Sequence, residues 1–600
     1  MWRRLRSSPM VRDARPQGRA PHHDERLWRR LRAEPDGEMP VAQTVAGNRV
    51  AASMTSPQPV AWWQRAVLYQ IYPRSFQDRS GDGVGDLAGI IERLPYLVDL
   101  GVDALWLSPI FPSPMADFGY DVSDYTAVDP LFGTLADLDT LIERAHAASL
   151  KVLLDLVPNH TSDRHPWFSE SRASRRNPKR DWYIWRDPAP DGGPPNNWLS
   201  VFGGSAWEKD AATGQYYYHA FLSQQPDLNW RNPEVRAAIY DVMRFWFRRG
   251  IDGFRVDVIW HLIKDDLFRD NPVNPDHAPG RPPYERLVPL YTADRPEVHE
   301  VIAEMRRVVD AFPARLLIGE IYLPIERLVA YYGRDLAGAH LPFNFSLLQS
   351  PWNARMIAQL IDAYEAALPP GGWPNWVLGN HDRPRVASRI GGAQARNAAM
   401  LLLTLRGTPT IYYGDEIGMT NVPIPPDRIQ DPFEKNTPGL GVGRDGCRTP
   451  MQWNAGPHAG FSTAEPWLPL AEDFHRRNVE SQREDATSLL DLVRRLIRLR
   501  REREVLIVGA YRPLAAEGDL LLFLREGTGE RLLVALNLGD QPGAAELGGG
   551  SLRGRILMST ECDRTGEPVE GRIDLRANEG LIIEVAALGE RALTGKAAGG

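Results

Sequence analysis

The stretch Gly253-Phe254-Arg255-Val256-Asp257 decides how this chain is read. Its arginine and aspartate stand two apart with an apolar residue between them, so on a strand both side chains face the same side. A strand ending here aims them into one cavity, where the guanidinium keeps the carboxylate ionised and oriented. Asp257 is thereby a candidate nucleophile. Many such pairs are ordinary ion pairs on a surface or rim, so the weight of the reading comes from the other strand ends.

On both sides of this stretch, short apolar runs alternate with amphipathic segments, the pattern of a parallel sheet wrapped by helices. Eight strands are expected, at residues 67–72, 104–107, 152–156, 253–256, 316–319, a weak one at 340–344, 376–379 and 408–412. Helices are expected at 135–148, 233–249, 297–312 and, after a long loop, 488–501. Eight strand–helix units make an α/β fold, a (βα)8 TIM barrel, with its chemistry on the loops at the C-terminal ends of the strands. The interval 161–228 is too long for a βα loop and rich in Trp, Pro, Gly and Asn, which predicts a subdomain inserted after the third strand. Beyond residue 505, alternating runs at 520–525, 531–538 and 580–585 predict a C-terminal antiparallel β-domain. The expected organisation is a disordered, Arg-rich N-terminal extension over 1–60, the barrel over 61–160 and 229–504, the insert over 161–228, the β-domain over 505–590 and a tail over 591–600.

Six hundred residues with 43% hydrophobic content and 18 tryptophans can bury a large core. A net charge of −7 supplies no basic field for nucleic acid, and the aromatics suit contacts with sugars or apolar groups. Cys447 and Cys562 are the only cysteines, which argues against a disulfide framework or a Cys-rich zinc site. No apolar run reaches membrane-spanning length and the start lacks the hydrophobic segment of a secretory signal, so a cytoplasmic location without membrane or nucleic-acid partners is expected.

Three strand ends carry carboxylates: Asp257 after the fourth, Glu320 after the fifth and Asp382 after the seventh. Barrel closure brings all three over one mouth. Glycoside cleavage needs such a pair, one attacking the anomeric carbon and one protonating the departing oxygen, about 5–5.5 Å apart when configuration is retained. The plain alternative is a set of rim charges in unrelated salt bridges. Asp155-Leu156-Val157-Pro158-Asn159-His160 ends the third strand and adds an aspartate, an amide and an imidazole. With His261 and His381, neutral imidazoles suit hydroxyl binding better than proton transfer where carboxylates already abound. The loop Asp78-Arg79-Ser80-Gly81-Asp82-Gly83-Val84-Gly85-Asp86 alternates oxygen ligands with glycines, and Gly89 stands where an EF-hand has its glutamate. A structural Ca²⁺ or Mg²⁺ on Asp78, Asp82, Asp86 and the Val84 carbonyl is expected, against the plainer reading of a Gly-rich acidic turn. No catalytic metal or organic cofactor is implied.

In this order, Asp155–His160, Gly253–His261, Gly319-Glu320 and Asn380-His381-Asp382 resemble the four short regions of the α-amylase superfamily, glycoside hydrolase family 13. Gln70-Ile71-Tyr72-Pro73-Arg74-Ser75-Phe76, Gln225-Pro226-Asp227-Leu228-Asn229 and Arg448-Thr449-Pro450-Met451-Gln452-Trp453 resemble its α-glucosidase and oligo-1,6-glucosidase branch, and the resemblance runs from Trp62 to the C-terminus. It implies that Asp257 is the nucleophile, Glu320 the general acid/base and Asp382 the carboxylate gripping the sugar's 2- and 3-hydroxyls. Arg255 would orient Asp257, His160 and His381 would bind sugar, and Tyr120 would stack on it. Asp117 with Arg448 would close the pocket at the non-reducing end, giving exo action on short α-glucosides. Val258 resembles the valine of α-1,6-active relatives, Trp260 departs from their usual Asn, and Ser80 replaces the Asn usual in the metal loop. An α-glucosyltransferase or a sucrose- or trehalose-active relative would share this apparatus; a non-catalytic, transporter-associated relative would lack its carboxylates.

Overall fold

The computed structural model describes residues 60–546 and 552–587. The expectations for the extension at 1–60, Val60 excepted, and for the tail at 591–600 fall outside the described residues. Along the chain come β1 (Leu68–Ile71), β2 (Ala104–Leu107), β3 (Lys151–Leu156), β4 (Trp185–Arg186), β5 (Trp207–Lys209), β6 (Tyr216–Tyr218), β7 (Gly253–Val256), β8 (Leu316–Gly319), β9 (Leu341–Pro342), β10 (Asn375–Val377) and β11 (Thr408–Tyr412). β1–β3 and β7–β11 form one eight-stranded sheet in the order β10-β11-β1-β2-β3-β7-β8-β9. All its ladders are parallel, so the (βα)8 barrel is present with each of its eight expected strands.

The period of two along each strand sorts the side chains into two cores. Leu68, Ala104, Trp106, Leu153, Leu316, Ile318, Leu341 and Val377 fill the barrel's interior. Their neighbours Tyr69, Leu105, Leu107, Leu154, Phe254, Val256 and Leu317 join the layer packed with the outer helices. Continued upward, the inward positions become Gln70, Ser108, Asp155, Asp257 and Glu320, all buried. The alternation that builds the core therefore delivers polar groups to its upper end. A Cβ on Gly253 would stand 2.5 Å from the Leu316 carbonyl oxygen, so the approach of β7 to β8 needs glycine there.

The helix Pro233–Arg249 illustrates the outer layer. Asn232 caps it by accepting from the Glu234 N–H, a proline opens its first turn, and Gly250 at φ 110° ends it. Val235, Ile239, Val242, Met243 and Trp246 are buried at the spacing of one helical face. After β3 the chain leaves the barrel, and β4, β6 and β5 make a small antiparallel sheet around Trp198, Trp207, Tyr216 and Tyr218. The buried ammonium of Lys264 ties its base to the barrel, 2.7 Å from Asn159 Oδ1 and 2.5 Å from Asp227 Oδ2.

Downstream lie β12 (Ala510–Glu517), β13 (Leu520–Gly527), β14 (Glu530–Asn537), β15 (Gly543–Glu546), β16 (Arg553–Ser559), β17 (Pro568–Glu570), β18 (Arg572–Leu575) and β19 (Gly580–Ala587). They form an antiparallel sheet ordered β12-β13-β14-β19-β16-β17 and a β15–β18 pair.

The weak sixth barrel strand is only two residues long, ending in a proline that cannot donate to a ladder. No strand pairing joins β9 to β10 among the described residues. Asn375, fully buried, spans that seam: it accepts from the Asn344 N–H at 2.9 Å and donates to the Pro342 carbonyl at 2.5 Å. Asn375→Leu strands both backbone groups and should lower the free energy of unfolding by about 2–4 kcal/mol in chemical denaturation; an unchanged midpoint would contradict this account of the seam.

Candidate active site

Arg255 stands at the centre of the upper end, fully buried. Its Nη1 lies 2.8 Å from Asp155 Oδ1 and 2.7 Å from Asp257 Oδ1, and its Nη2 lies 2.8 Å from Glu320 Oε1. The register that sets Asp155 beside Arg255 on β3 and β7 fixes the first pair. The ladders then run one residue past the strands, Asp257 N–H to the Leu156 carbonyl at 2.8 Å and Glu320 N–H to the Val256 carbonyl at 3.0 Å. The next residue, Val258, takes a left-handed conformation, φ 36° and ψ 46°, that a β-branched side chain disfavours. Its N–H thereby donates to Glu320 Oε2 at 2.9 Å. The strain buys a second anchor for that carboxylate.

Burial pushes the Asp257 carboxyl well up; Arg255 opposes this, while Glu320 and Asp155 reinforce it. Burial also raises Glu320, with Arg255 opposing and Asp382 reinforcing. Asp155 is raised to about 7, chiefly by burial. Asp382, with its side chain 24% exposed, goes the other way. Burial opposes its ionisation, but His381 and the guanidiniums of Arg444, Arg448 and Arg255 outweigh it. The arginines carry that effect at neutral pH, because burial holds His381 down to about 3 and so uncharged.

The neutral imidazoles are fixed by neighbours. His381 Nε2 is 2.6 Å from the Tyr120 hydroxyl, and its Nδ1 is 2.7 Å from the Gln70 amide. Tyr120 also donates to Asp155 Oδ2 at 3.1 Å. His160, held by burial to about 4, has Nε2 3.0 Å from the Tyr120 carbonyl. His261 meets the Phe221 ring at a tilt, centroids 5.8 Å apart, and burial holds it down to about 3.

Asp117 pairs with Arg444, at 2.7 Å, and not with Arg448. Arg448 instead reaches Asp382 Oδ1 at 2.9 Å and the His381 carbonyl at 2.8 Å. A single 3₁₀ turn, Asp445–Cys447, separates the two arginines, and both guanidiniums reach Asp382. Arg444 also lies 3.3 Å from Asp382 and 2.6 Å from Asp431. Sequence reasoning missed Arg444, Asp431 and Lys264, whose partners are brought to them only by the fold. Arg444, four residues before the Arg448-Thr449-Pro450 segment, carried the one usable signal.

In the loop before the helix Leu87–Leu100, Asp86 caps that helix through the Gly89 N–H at 2.6 Å and accepts from Ser80 N–H at 2.8 Å. Asp78 accepts from the N–H groups of Gly81 and Gly83, each at 2.7 Å, and lies 3.0 Å from Ser80 Oγ. Asp82 turns to the Val84 N–H at 2.9 Å. Among the described residues no three carboxylate, imidazole or thiol groups converge as metal ligands.

A family model described as the alpha amylase catalytic domain matches residues 70–509. The chain belongs to this family, glycoside hydrolase family 13. Relatives within it include α-glucosidases, oligo-1,6-glucosidases and a trehalose-6-phosphate hydrolase. A probable alpha-glucosidase of Rhizobium meliloti (strain 1021) is 44% identical over 516 residues, 83% of this chain and 93% of that one. An oligo-1,6-glucosidase of Heyndrickxia coagulans is 40% identical over 519 residues, 80% and 92% of the two chains. Among solved structures, the alpha-glucosyl transfer enzyme XgtA matches with a TM-score of 0.83 at 42% identity, covering 88% of this chain and all 100% of that one. The trehalulose synthase MutB from Pseudomonas mesoacidophila MX-45 matches with a TM-score of 0.81 at 35% identity, with the same coverages of 88% and 100%.

Burial raises both Asp257 and Glu320, so a proton on this interacting pair is lost at higher pH than from an ordinary carboxyl. Activity that needs this singly protonated pair falls toward acid as the second proton arrives and toward alkali as the last one leaves. The bell in kcat/KM against pH should keep both limbs in His160→Asn and His381→Asn, since those imidazoles are neutral above about 4 and about 3. Loss of the acid limb in either variant would assign it to the imidazole.

Proposed function

We propose that the protein is a retaining, exo-acting α-glucosidase that releases glucose from the non-reducing end of short α-glucosides. The observation that carries this is Arg255 standing between Asp257 and Glu320, its Nη1 2.7 Å from the one and its Nη2 2.8 Å from the other. Two carboxyls leaning on one guanidinium suit the about 5–5.5 Å separation of a retaining pair better than the about 6.5–9.5 Å an inverting enzyme needs for its water. Asp257 attacks the anomeric carbon, and Glu320 gives its proton to the departing oxygen. Glu320, now ionised, takes a proton from water, which releases glucose from the glucosyl ester with configuration retained. Asp382, kept ionised by its arginines, faces the charge that builds on the ring. The Asp117–Arg444 pair is the end wall that supports exo action.

The same reading includes a cytoplasmic enzyme acting on oligosaccharides, without nucleic-acid or membrane partners. No helix among the described residues is long and apolar enough to cross a membrane. It keeps residues 161–228 as the insert and 505–590 as the β-domain. Glucosyl transfer is the second reading, favoured by the likeness to XgtA and MutB. With maltose, isomaltose, sucrose, trehalose and soluble starch, free glucose should be the main product from dilute maltose or isomaltose, and starch should react little. Disaccharide isomers as the main product would shift the assignment to transfer. Asp257→Ala should cut turnover by roughly 10⁴-fold or more with folding intact.

A structural Ca²⁺ or Mg²⁺ belongs to the proposal through the spacing of Asp78, Ser80, Asp82, the Val84 carbonyl and Asp86. Chelation should lower the unfolding midpoint by about 2–4 °C, and Ca²⁺ or Mg²⁺ should restore it. A midpoint indifferent to chelator would remove the ion from the account.

A further inference from the structure

We infer that Asp431 is a positioning residue for substrate binding: it holds Arg444 in the one orientation that closes the sugar pocket. The inference rests on the α-glucosidase reading of the site and adds to it a residue far from the strand ends, in the long excursion after β11.

Arg444 has five N–H bonds in a planar fork. Asp431 takes one edge of that fork, Nε at 3.0 and 3.1 Å and Nη2 at 2.6 Å. What remains faces the pocket, Nη2 to Asp117 at 2.7 Å and Nη1 toward Asp382 at 3.3 Å. A planar fork gripped along one edge cannot rotate without breaking that grip. Asp431 therefore sets where the other edge points.

Asp431 is itself held. It is fully buried, and it accepts from the Arg444 N–H at 2.6 Å and the Phe433 N–H at 3.1 Å. In return Asp445 accepts from the N–H groups of Gln430 and Asp431, at 2.6 and 2.9 Å. These crossed bonds clasp the two ends of the excursion. Between them, Phe433 stacks on Phe202 of the insert with ring centroids 5.1 Å apart, and the Arg444 guanidinium lies 5.0 Å over the same Phe202 ring. The end wall is thus assembled from three separate stretches of chain, and Asp431 is the carboxylate that joins them at Arg444.

Arg444 serves chiefly Asp117, at 2.7 Å, while Asp382, 3.3 Å from Arg444, keeps its closer guanidinium partner Arg448 at 2.9 Å when Arg444 loosens. Its loosening should weaken the grip on the sugar in ground and transition states alike, which raises KM and spares kcat. Asp431→Asn should raise KM for maltose by about 10- to 100-fold, with kcat within about threefold and the unfolding midpoint close to the parent's. Asp431→Glu, which keeps the charge, should recover part of the loss. Asp117→Asn and Asp431→Asn combined should cost less than the product of the single effects, because both act through Arg444. A KM within twofold of the parent in Asp431→Asn, or in Asp431→Ser should the first variant not fold, would overturn the inference. So would failure of both to fold, which would make Asp431 a residue of stability. Parent enzyme inactive on every α-glucoside would instead refute the function proposed above.

Discussion

Arg255 lies 2.8, 2.7 and 2.8 Å from Asp155, Asp257 and Glu320 while fully buried, so three carboxyls that would repel one another in a dry cavity share one cation. A buried charge set of this kind is costly to break and weak as a source of stability; its value here is geometric. It fixes two carboxyls relative to each other and to the strand ends that carry them. The left-handed Val258 is sustained by the same arrangement, since its N–H holds the second oxygen of Glu320.

Above this lies a second charged tier of Asp117, Asp382, Arg444 and Arg448. The two tiers push carboxyls in opposite directions, Asp382 down by its guanidiniums and Asp257 and Glu320 up by burial. Such divergence keeps Asp382 anionic beside a pair that can carry the catalytic proton. Neutral His160 and His381 then serve as hydrogen-bonding walls between the tiers.

The barrel was legible because its strands are short apolar runs whose inward positions end in Asp155, Asp257 and Glu320, a period-two signal independent of distant contacts. Helix ends were legible for a similar local reason, as at Pro233 and Gly250. What local pattern does not carry is the choice of partner. Arg444 and Arg448 are chemically alike and one turn apart, and only the folded pocket shows that Arg444 meets Asp117. Lys264 with Asp227, and Asn375 across the β9–β10 seam, answer to constraints met only when remote segments arrive together. The loop at Asp78–Asp86 shows the converse limit, since one run of oxygens and glycines suits a cation and suits a helix cap.

The central claim is that Asp257 forms the covalent bond while Glu320 handles the proton. Trapping with 5-fluoro-α-D-glucosyl fluoride, followed by peptide mass spectrometry, tests it most directly. The account predicts one fluoroglucosyl group on the peptide that carries Asp257. Labelling of Glu320, Asp382 or Asp155 instead, or turnover without any covalent species in the parent and in Glu320→Gln, would contradict it.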